Sequence, residues 1–362
     1  MNAERYTVRA PGKLFVAGEY AITEPNQDSI VVAVDRFLEI DIQSSRSNRL
    51  DLPQMGLTDI SWKVEKGLVK FSEPDKRLHF IKHIIETING LGVEVMTSQL
   101  LITSELDDRS GLKYGLGSSA ALSVALVTAL LKYSNVATIV EQPLTIFKLA
   151  AIAHLRAQGN GSCADIAAAT YGCWLNYRSF DRHWLDEQLA QGVTVPELIE
   201  KEWPSLCITP IALPANLYFL IGWTKQAANT SSMVNDVQAL KQQNLASYQA
   251  FLSDSNKVVK QIIRGFNEES VELVLTGIKQ NRQLLKQLGQ VSGVNIETEQ
   301  LTMLIDIADA FGAAKTSGAG GGDCGIAFVN QADQAEQVKL LWKESGIEPL
   351  RLCVSTVGVT ID

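Results

Sequence analysis

The sequence has no run of the roughly 18 uninterrupted apolar residues that a membrane-crossing helix requires. Dense Lys/Arg tracts are missing too. Its 32 basic residues stand against 40 acidic ones, a formal charge of -8, which argues against DNA or RNA as a partner. The five cysteines (Cys163, Cys173, Cys207, Cys324 and Cys353) are odd in number and never closer than ten positions, so they offer neither CxxC zinc spacing nor a disulfide framework. The opening MNAERYTVRAPGK lacks both the apolar core of a secretory signal and the Arg/Ser-rich character of a transit peptide. Reduced thiols, a cytoplasmic address and no membrane partner are the expectation. No low-complexity tail or solenoid-period repeat is present.

What remains is an ordinary globular composition, 46% hydrophobic and 20% charged over 362 residues, long enough for two packed domains. A net-acidic chain can still bind an anionic small molecule if cations and backbone amides are gathered locally. That requirement directs the search.

The first 110 residues read as strands (YTVRA before a Pro11-Gly12 break, IVVAVDRFLEIDI, VEVMTSQLLITSEL) interrupted by one helix, HFIKHIIETIN. SSAALSVALVTALLKY is a buried helix from Ser118. A second runs from Pro143 to the Gly159-Asn160-Gly161 breaker, and ADIAAATYG makes another helical turn. Residues 180–215, with Pro196, Pro204, Pro210 and Pro214, read as an irregular connection before the strand NLYFLIGWT. The division is placed there, as domains 1–190 and 191–362. Helical patterns follow at 231–264, 268–288 and 297–312, then a glycine-rich loop, GIAFV, a helix at 332–345 and a closing strand RLCVSTVGVTI. The fold class is α+β.

Three turns carry the chemistry. Lys113-Tyr-Gly-Leu-Gly-Ser-Ser-Ala-Ala121 feeds small residues straight into a helix start, where open N–H groups and about half a positive charge make a phosphate cradle. A tight turn with a serine cap would use the same residues. GxxxxGK[ST] is absent, because Gly12-Lys13 is followed by Leu14. Gly115-x-Gly117-x-x-Ala120 fits the dinucleotide fingerprint in form, yet the seven residues from Asp107 to Lys113 separate it from its strand. Phosphate suits it better than NAD. Lys315-Thr-Ser-Gly-Ala-Gly-Gly-Gly-Asp-Cys-Gly325 places five glycines between Gly318 and Gly325, a folding cost that favours close approach of a ligand to the backbone. The third turn, Arg9-Ala-Pro-Gly-Lys-Leu-Phe-Val-Ala-Gly-Glu-Tyr20, sets Lys13 beside a break; alone it reads as a surface lysine.

In this order, PGKLFVAGEY, KYGLGSSAA and KTSGAGGGDCG resemble the three motifs of the GHMP kinase superfamily, over nearly the whole chain. Gly18-Glu19-Tyr20, where mevalonate kinases usually carry His after the Glu, resembles the phosphomevalonate kinase branch, as do Gly222-Trp-Thr-Lys225 and Ser231-Ser232-Met233-Val234. The resemblance implies a two-domain fold with mixed sheets and a left-handed βαβ unit in the N-terminal half, a cytoplasmic monomer or homodimer, ATP and Mg2+. It implies that Lys113, Gly115, Leu116, Gly117, Ser118, Ser119 and Ala120 wrap the ATP phosphates. Tyr20, Ser317, Gly318, Ala319 and Gly320 would line the acceptor site, with Lys13 and Asp165 at the reacting centre. One departure stands out: mevalonate kinases place a magnesium-binding Glu eleven residues before that Asp, and here the position is His154, a poor magnesium ligand. Ser119, ATP oxygens and water are left to hold the metal, and His154 reads as a packed helix residue. Cys163 stands where relatives often have Gly.

A phosphate acceptor changes the task of Asp165. A phosphomonoester is largely dianionic at neutral pH and attacks without losing a proton, so Asp165 orients Lys13 and needs no general-base role. Lys225 and Arg282 are the candidate cations for the acceptor phosphate, with Ser231 and Ser232 as hydroxyl donors. The competing readings are mevalonate kinase or another small-molecule kinase of the superfamily, a non-catalytic ligand sensor on the same fold, and more distantly an NAD-binding module.

Overall fold

The computed structural model describes residues 5–108, 111–228 and 230–362. The first four residues of the amino terminus read for a targeting signal, and two residues of the stretch before the first glycine loop, lie outside these. The N-terminal half contains β1 (Arg5–Ala17), β2 (Asp28–Ser44), β3 (Arg49–Leu52), β4 (Leu57–Glu65), β5 (Leu68–Phe71), α1 (His79–Gly90), β6 (Ser98–Ser104), α2 (Ser118–Tyr133), α3 (Ala137–Val140), α4 (Pro143–Gln158), α5 (Ala164–Tyr171) and β7 (Trp174–Arg178). Then come α6 (Arg182–Ala190), α7 (Val195–Glu200), β8 (Cys207–Ile211), β9 (Tyr218–Trp223), α8 (Thr230–Gln243), α9 (Leu245–Asn267), α10 (Val271–Ser292) and α11 (Glu299–Asp309). The chain closes with β10 (Gly312–Thr316), β11 (Cys324–Val329), α12 (Ala332–Glu344), β12 (Glu348–Pro349) and β13 (Thr360–Ile361).

Nine strands form one sheet in the order β13-β1-β2-β6-β3-β4-β5, with β7 on β2 and β8 on β7; β10-β11-β9-β12 form a second. The first sheet is mixed through one parallel pair, β3 with β6; the other pairings among the described residues, including those of the second sheet, are antiparallel. The chain leaves the first sheet between Ile211 and Tyr218, later than the 190/191 division, because β8 hydrogen-bonds to β7. It also returns, since β13 pairs with β1.

Pro11-Gly12 is a correction: β1 runs straight through it. The pairing steps from Pro11↔Phe37 to Gly12↔Val34, so the opposite strand bulges out Asp35 and Arg36 at the point where a proline is tolerated. Gly12 is needed there because a Cβ would lie 2.7 Å from Leu106 and 3.0 Å from the Leu116 carbonyl. The backbone of the first turn can therefore touch the second.

Helix α2 is apolar around most of its circumference and packs between β1, β2, α1, α4 and α5, as a helix with no polar face must. Its alanines let β1 and α5 approach closely. The two halves share a further core: Trp174 of β7 meets Phe219, Phe266 and Phe328 at ring separations of 4.9, 5.4 and 6.1 Å. Truncating such a buried aromatic costs about 3–5 kcal/mol. The two sheets are thereby fixed on either side of a cleft.

Residues 180–215 are more regular than their prolines suggest. Asp181 caps α6, accepting from the Trp184 N–H, and Thr194 and Glu197 form a reciprocal capping box at α7 with proline in its first turn. The single pattern at 231–264 is two helices, because the Asn244 side chain caps Ser247 and starts α9 afresh.

Candidate active site

The three turns converge on a cleft of about 700 Å³. Turn one meets turn two: the Lys13 N–H donates to the Leu116 carbonyl (2.9 Å), and its ammonium donates to the Gly115 carbonyl (3.0 Å). Turn one also meets turn three. The Tyr20 hydroxyl donates to the Ala319 carbonyl (2.5 Å), the Ser317 hydroxyl to the Phe15 carbonyl (2.8 Å), and the Lys315 ammonium to the Glu19 carboxylate. Turns two and three touch where the Cys324 thiol donates to the Tyr114 carbonyl (3.2 Å). A Cβ on Gly115 would lie 2.7 Å from the Asp323 carboxylate.

Each turn is shaped by backbone that only certain residues tolerate. Gly117, at φ 79°, enters α2 in the left-handed region. A side chain there would meet Lys13 at 3.1 Å and Asp165 at 3.6 Å, so this glycine keeps the helix mouth open between the two. Ser118 and Ser119 follow and line the cleft. Their N–H groups belong to the first helical turn, which has no partners of its own to offer. The Ala120 N–H is taken by the Gly117 carbonyl (3.1 Å) and its side chain is fully buried, so Ala120 does not present a donor as expected.

Lys13, Tyr20, Lys113, Gly115, Leu116, Gly117, Ser118, Ser119, Asp165, Ser231, Ser317, Gly318, Ala319 and Gly320 all line the cleft. Lys13 and Asp165 are not ion-paired as expected: one Asp165 oxygen accepts from the Ile166 N–H (3.0 Å) at the start of α5. The chain enters α5 and Asp165 through Cys163, whose φ of 59° is the left-handed conformation a glycine adopts freely. Tyr177 and Ser179 clamp the same loop by donating to the Ser162 carbonyl at 2.5 and 3.2 Å.

Three expected residues lie elsewhere. Arg282 is a correction: its guanidinium is committed to Glu297 (3.0 and 2.7 Å), Asp306 (2.8 Å) and Asp309 (2.7 Å). Burial works against that charge, but the carboxylates outweigh it and raise its pKa. Lys225 turns away from the cleft to pair with Glu348 of β12 at 3.1 Å. Ser232 lies one position past the cleft wall, its hydroxyl 3.4 Å from Asp236. Thr230 and Ser231 are the α8 hydroxyl residues that line the cleft.

His154 is buried beside Phe80, with Nε2 3.3 Å from the Ser119 hydroxyl and no partner for Nδ1. Burial lowers its pKa, opposed by Asp165. It is the packed residue expected, and it also orients Ser119. Two acidic residues escaped the sequence reading. Asp323, inside the third glycine-rich motif, lines the cleft, accepts from the Ala228 N–H (3.3 Å), and burial raises its pKa against the pull of Lys13 and Lys113. Glu19 is 2% exposed and paired with fully buried Lys315, whose pKa burial lowers.

A cleft lined by two glycine loops, a bare helix start and a lysine is a phosphate-transfer site in form. The description "GHMP kinases N terminal domain" matches residues 78–173 and "GHMP kinases C terminal" matches 262–348. The chain belongs to the GHMP kinase family. It is 33% identical to a phosphomevalonate kinase of Streptomyces sp. (strain CL190), over 99% of this chain and 100% of that one. Streptococcus pneumoniae phosphomevalonate kinase, solved with phosphomevalonate and AMPPNP, superposes with a TM-score of 0.82 at 30% identity, covering 96% of this chain and 99% of that one. A Lin0012 protein from Listeria innocua superposes with a TM-score of 0.92 at 38% identity and 99% coverage of each chain. The resemblance read from the three motifs therefore holds at full length.

Proposed function

We propose that this chain is a phosphomevalonate kinase: it transfers the γ-phosphoryl group of ATP to the phosphate of 5-phosphomevalonate, giving 5-diphosphomevalonate and ADP in the mevalonate route to isoprenoids. The convergence of the three turns on one cleft carries the reading, and the full-length likeness to two phosphomevalonate kinases supports it. The ATP phosphates lie along the Gly115–Ser119 loop, and the acceptor lies toward Tyr20, Ser317–Gly320 and the start of α8.

Charge sets the main difficulty. Two unit anions 4 Å apart repel by about 4 kcal/mol at an effective dielectric of 20. Lys13 and Lys113 are the lysines on the cleft wall among the described residues. The starts of α2 and α8 each add about half a positive charge. With Arg282 and Lys225 committed elsewhere, Thr230 and Ser231 take the acceptor phosphate, and Lys113 stays with the ATP phosphates. Lys13, held within reach by the Gly115 carbonyl, meets the phosphoryl group in flight, where negative charge spreads over its oxygens. The acceptor is already dianionic at neutral pH, so Asp165, on the cleft wall and not paired with Lys13, orients the attacking oxygen without accepting a proton.

The donor set fits magnesium. Among the described residues no cluster of three or more His, Cys, Asp or Glu forms a dedicated cage, and magnesium is held by few protein oxygens with phosphates and water. The Ser119 hydroxyl, fixed by His154, would hold it with ATP oxygens, and the metal would offset phosphate charge when bound. A coupled ADP-release assay over mevalonate, phosphomevalonate, homoserine and galactose tests the proposal. Turnover with phosphomevalonate is expected; release that follows mevalonate instead, or follows no acceptor, would sink it.

A further inference from the structure

The Arg282 cluster lies outside the cleft, yet it is connected to the cleft's floor. Arg282 joins α10 to Glu297 on the loop after it and to Asp306 and Asp309 of α11. Asp309 uses its second oxygen to accept from the Ala314 N–H of β10 (2.8 Å), the strand that runs into the third glycine loop. Glu297 also accepts from Thr302 (3.1 Å) and faces Lys286 at 3.5 Å. Its neighbour Ile296 is 1% exposed, and its carbonyl accepts the Gly321 N–H at 2.8 Å. That carbonyl presses on Gly320 so closely that a Cβ would stand 2.1 Å away.

The loop is held from the other side by Tyr20, whose hydroxyl donates to the Ala319 carbonyl. Tyr20 and Ile296 share one apolar cluster with Leu285 and Leu288 of α10. Two consecutive peptide planes are thus pinned, one by its carbonyl and one by its N–H. In a trans peptide the N–H points opposite the carbonyl, so the Gly320 N–H is turned away from the Tyr20 hydroxyl. It has no partner among the described residues, on a loop that lines the cleft.

We infer that Arg282 is a positioning residue for phosphoryl transfer: through Glu297 and Ile296 it fixes the Ala319-Gly320-Gly321 backbone, so that the Gly320 N–H is held as a donor to phosphate oxygens in the cleft. This rests on the kinase reading above. The role differs from ground-state binding of the acceptor, because a donor aimed at developing charge acts on turnover more than on affinity.

The test compares Arg282→Gln with wild type, at temperatures where circular dichroism shows both folded. Arg282→Gln leaves three carboxylates facing one another, so Glu297→Gln is measured beside it; that variant keeps Arg282 on Asp306 and Asp309 and loosens only the link to Ile296. Val338→Ala, in the core that α12 shares with α11 and β10, controls for loss of packing in the same half of the molecule without touching the Arg282 link. Both link variants are expected to lower kcat about tenfold, a fraction of the cost of deleting a transition-state donor, with both KM values within about twofold. Amide exchange of peptides covering 318–322 should accelerate about tenfold in them but not in Val338→Ala, while peptides of α12 stay unchanged. Wild-type kcat and unchanged exchange at 318–322 in Glu297→Gln would overturn the inference, making the cluster a purely structural brace. So would a raised acceptor KM at constant kcat. A wild type inactive on phosphomevalonate would sink the kinase reading instead, leaving the exchange measurement to decide the positioning role.

Discussion

Lys13 and Arg282 were both read as cations for phosphate, and the structure separates them by what already occupies their donors. The Arg282 fork is engaged by three carboxylates, two of them on a different helix. The Lys13 ammonium makes one side-chain hydrogen bond, to a carbonyl, and lies on the cleft wall. Net charge in a sequence says how many cations exist; only the fold says which are uncommitted. Lys315 extends the contrast, since it belongs to a glycine-loop motif yet is wholly buried against Glu19.

The comparison is broken most forcefully at Lys315. Lys315→Met leaves Glu19 as an uncompensated buried charge with one oxygen already lacking a partner, and about 3–5 kcal/mol of stability is expected to go. Glu19→Gln with Lys315→Met should recover part of it. Urea unfolding of the two variants measures this; a single variant within about 0.5 kcal/mol of wild type would mean that the pair contributes nothing.

Lys13→Met should behave in the opposite way. Stability should stay within about 0.5 kcal/mol, because the ammonium loses only one exposed-side hydrogen bond, while kcat falls about 100- to 1000-fold, as for loss of a main charge-stabilising donor. Asp165→Asn sharpens the contrast. If the carboxylate only orients, the loss should be about tenfold, well short of Lys13→Met. Steady-state rates in which Asp165→Asn is the more damaging would return Asp165 to the role of general base.

These outcomes also bear on what the residues alone could disclose. The start of α2 and both ends of α4 were legible to the residue, since local signals mark them: serine at the head of α2, Pro143 and Gly159 for α4. Local signals failed where one residue type does two jobs. Pro196 sits in the first turn of α7 and Pro210 in β8, so prolines that read as loop were inside regular elements. The gathering of the three turns was legible only because three motifs occur together. The commitment of Arg282 was not, because its partners lie 15, 24 and 27 residues away and no spacing rule joins a helix to the loop and helix that follow it. Asp323 was hidden by its own motif, whose five glycines point to backbone chemistry while it supplies a carboxylate to the cleft wall.

The smallest expected effect concerns His154, the neutral counterpart to these cations. Burial lowers its pKa in the folded chain, with Asp165 pulling the other way, and Ser119 is its hydrogen-bond partner. The unfolded chain takes a proton on this imidazole below about pH 6.5, whereas the folded chain resists it. The unfolded state therefore binds more protons in that window, and by linkage stability is present above about pH 6.5 and lost as the pH falls. Each unit of depression amounts to about 1.4 kcal/mol at most. His154→Gln removes this titration while leaving a side chain able to reach Ser119. The urea midpoint of wild type should drop between pH 7 and pH 5.5 by more than that of His154→Gln. Equal drops would assign the acid sensitivity to other groups, His83 among them, whose pKa burial also lowers.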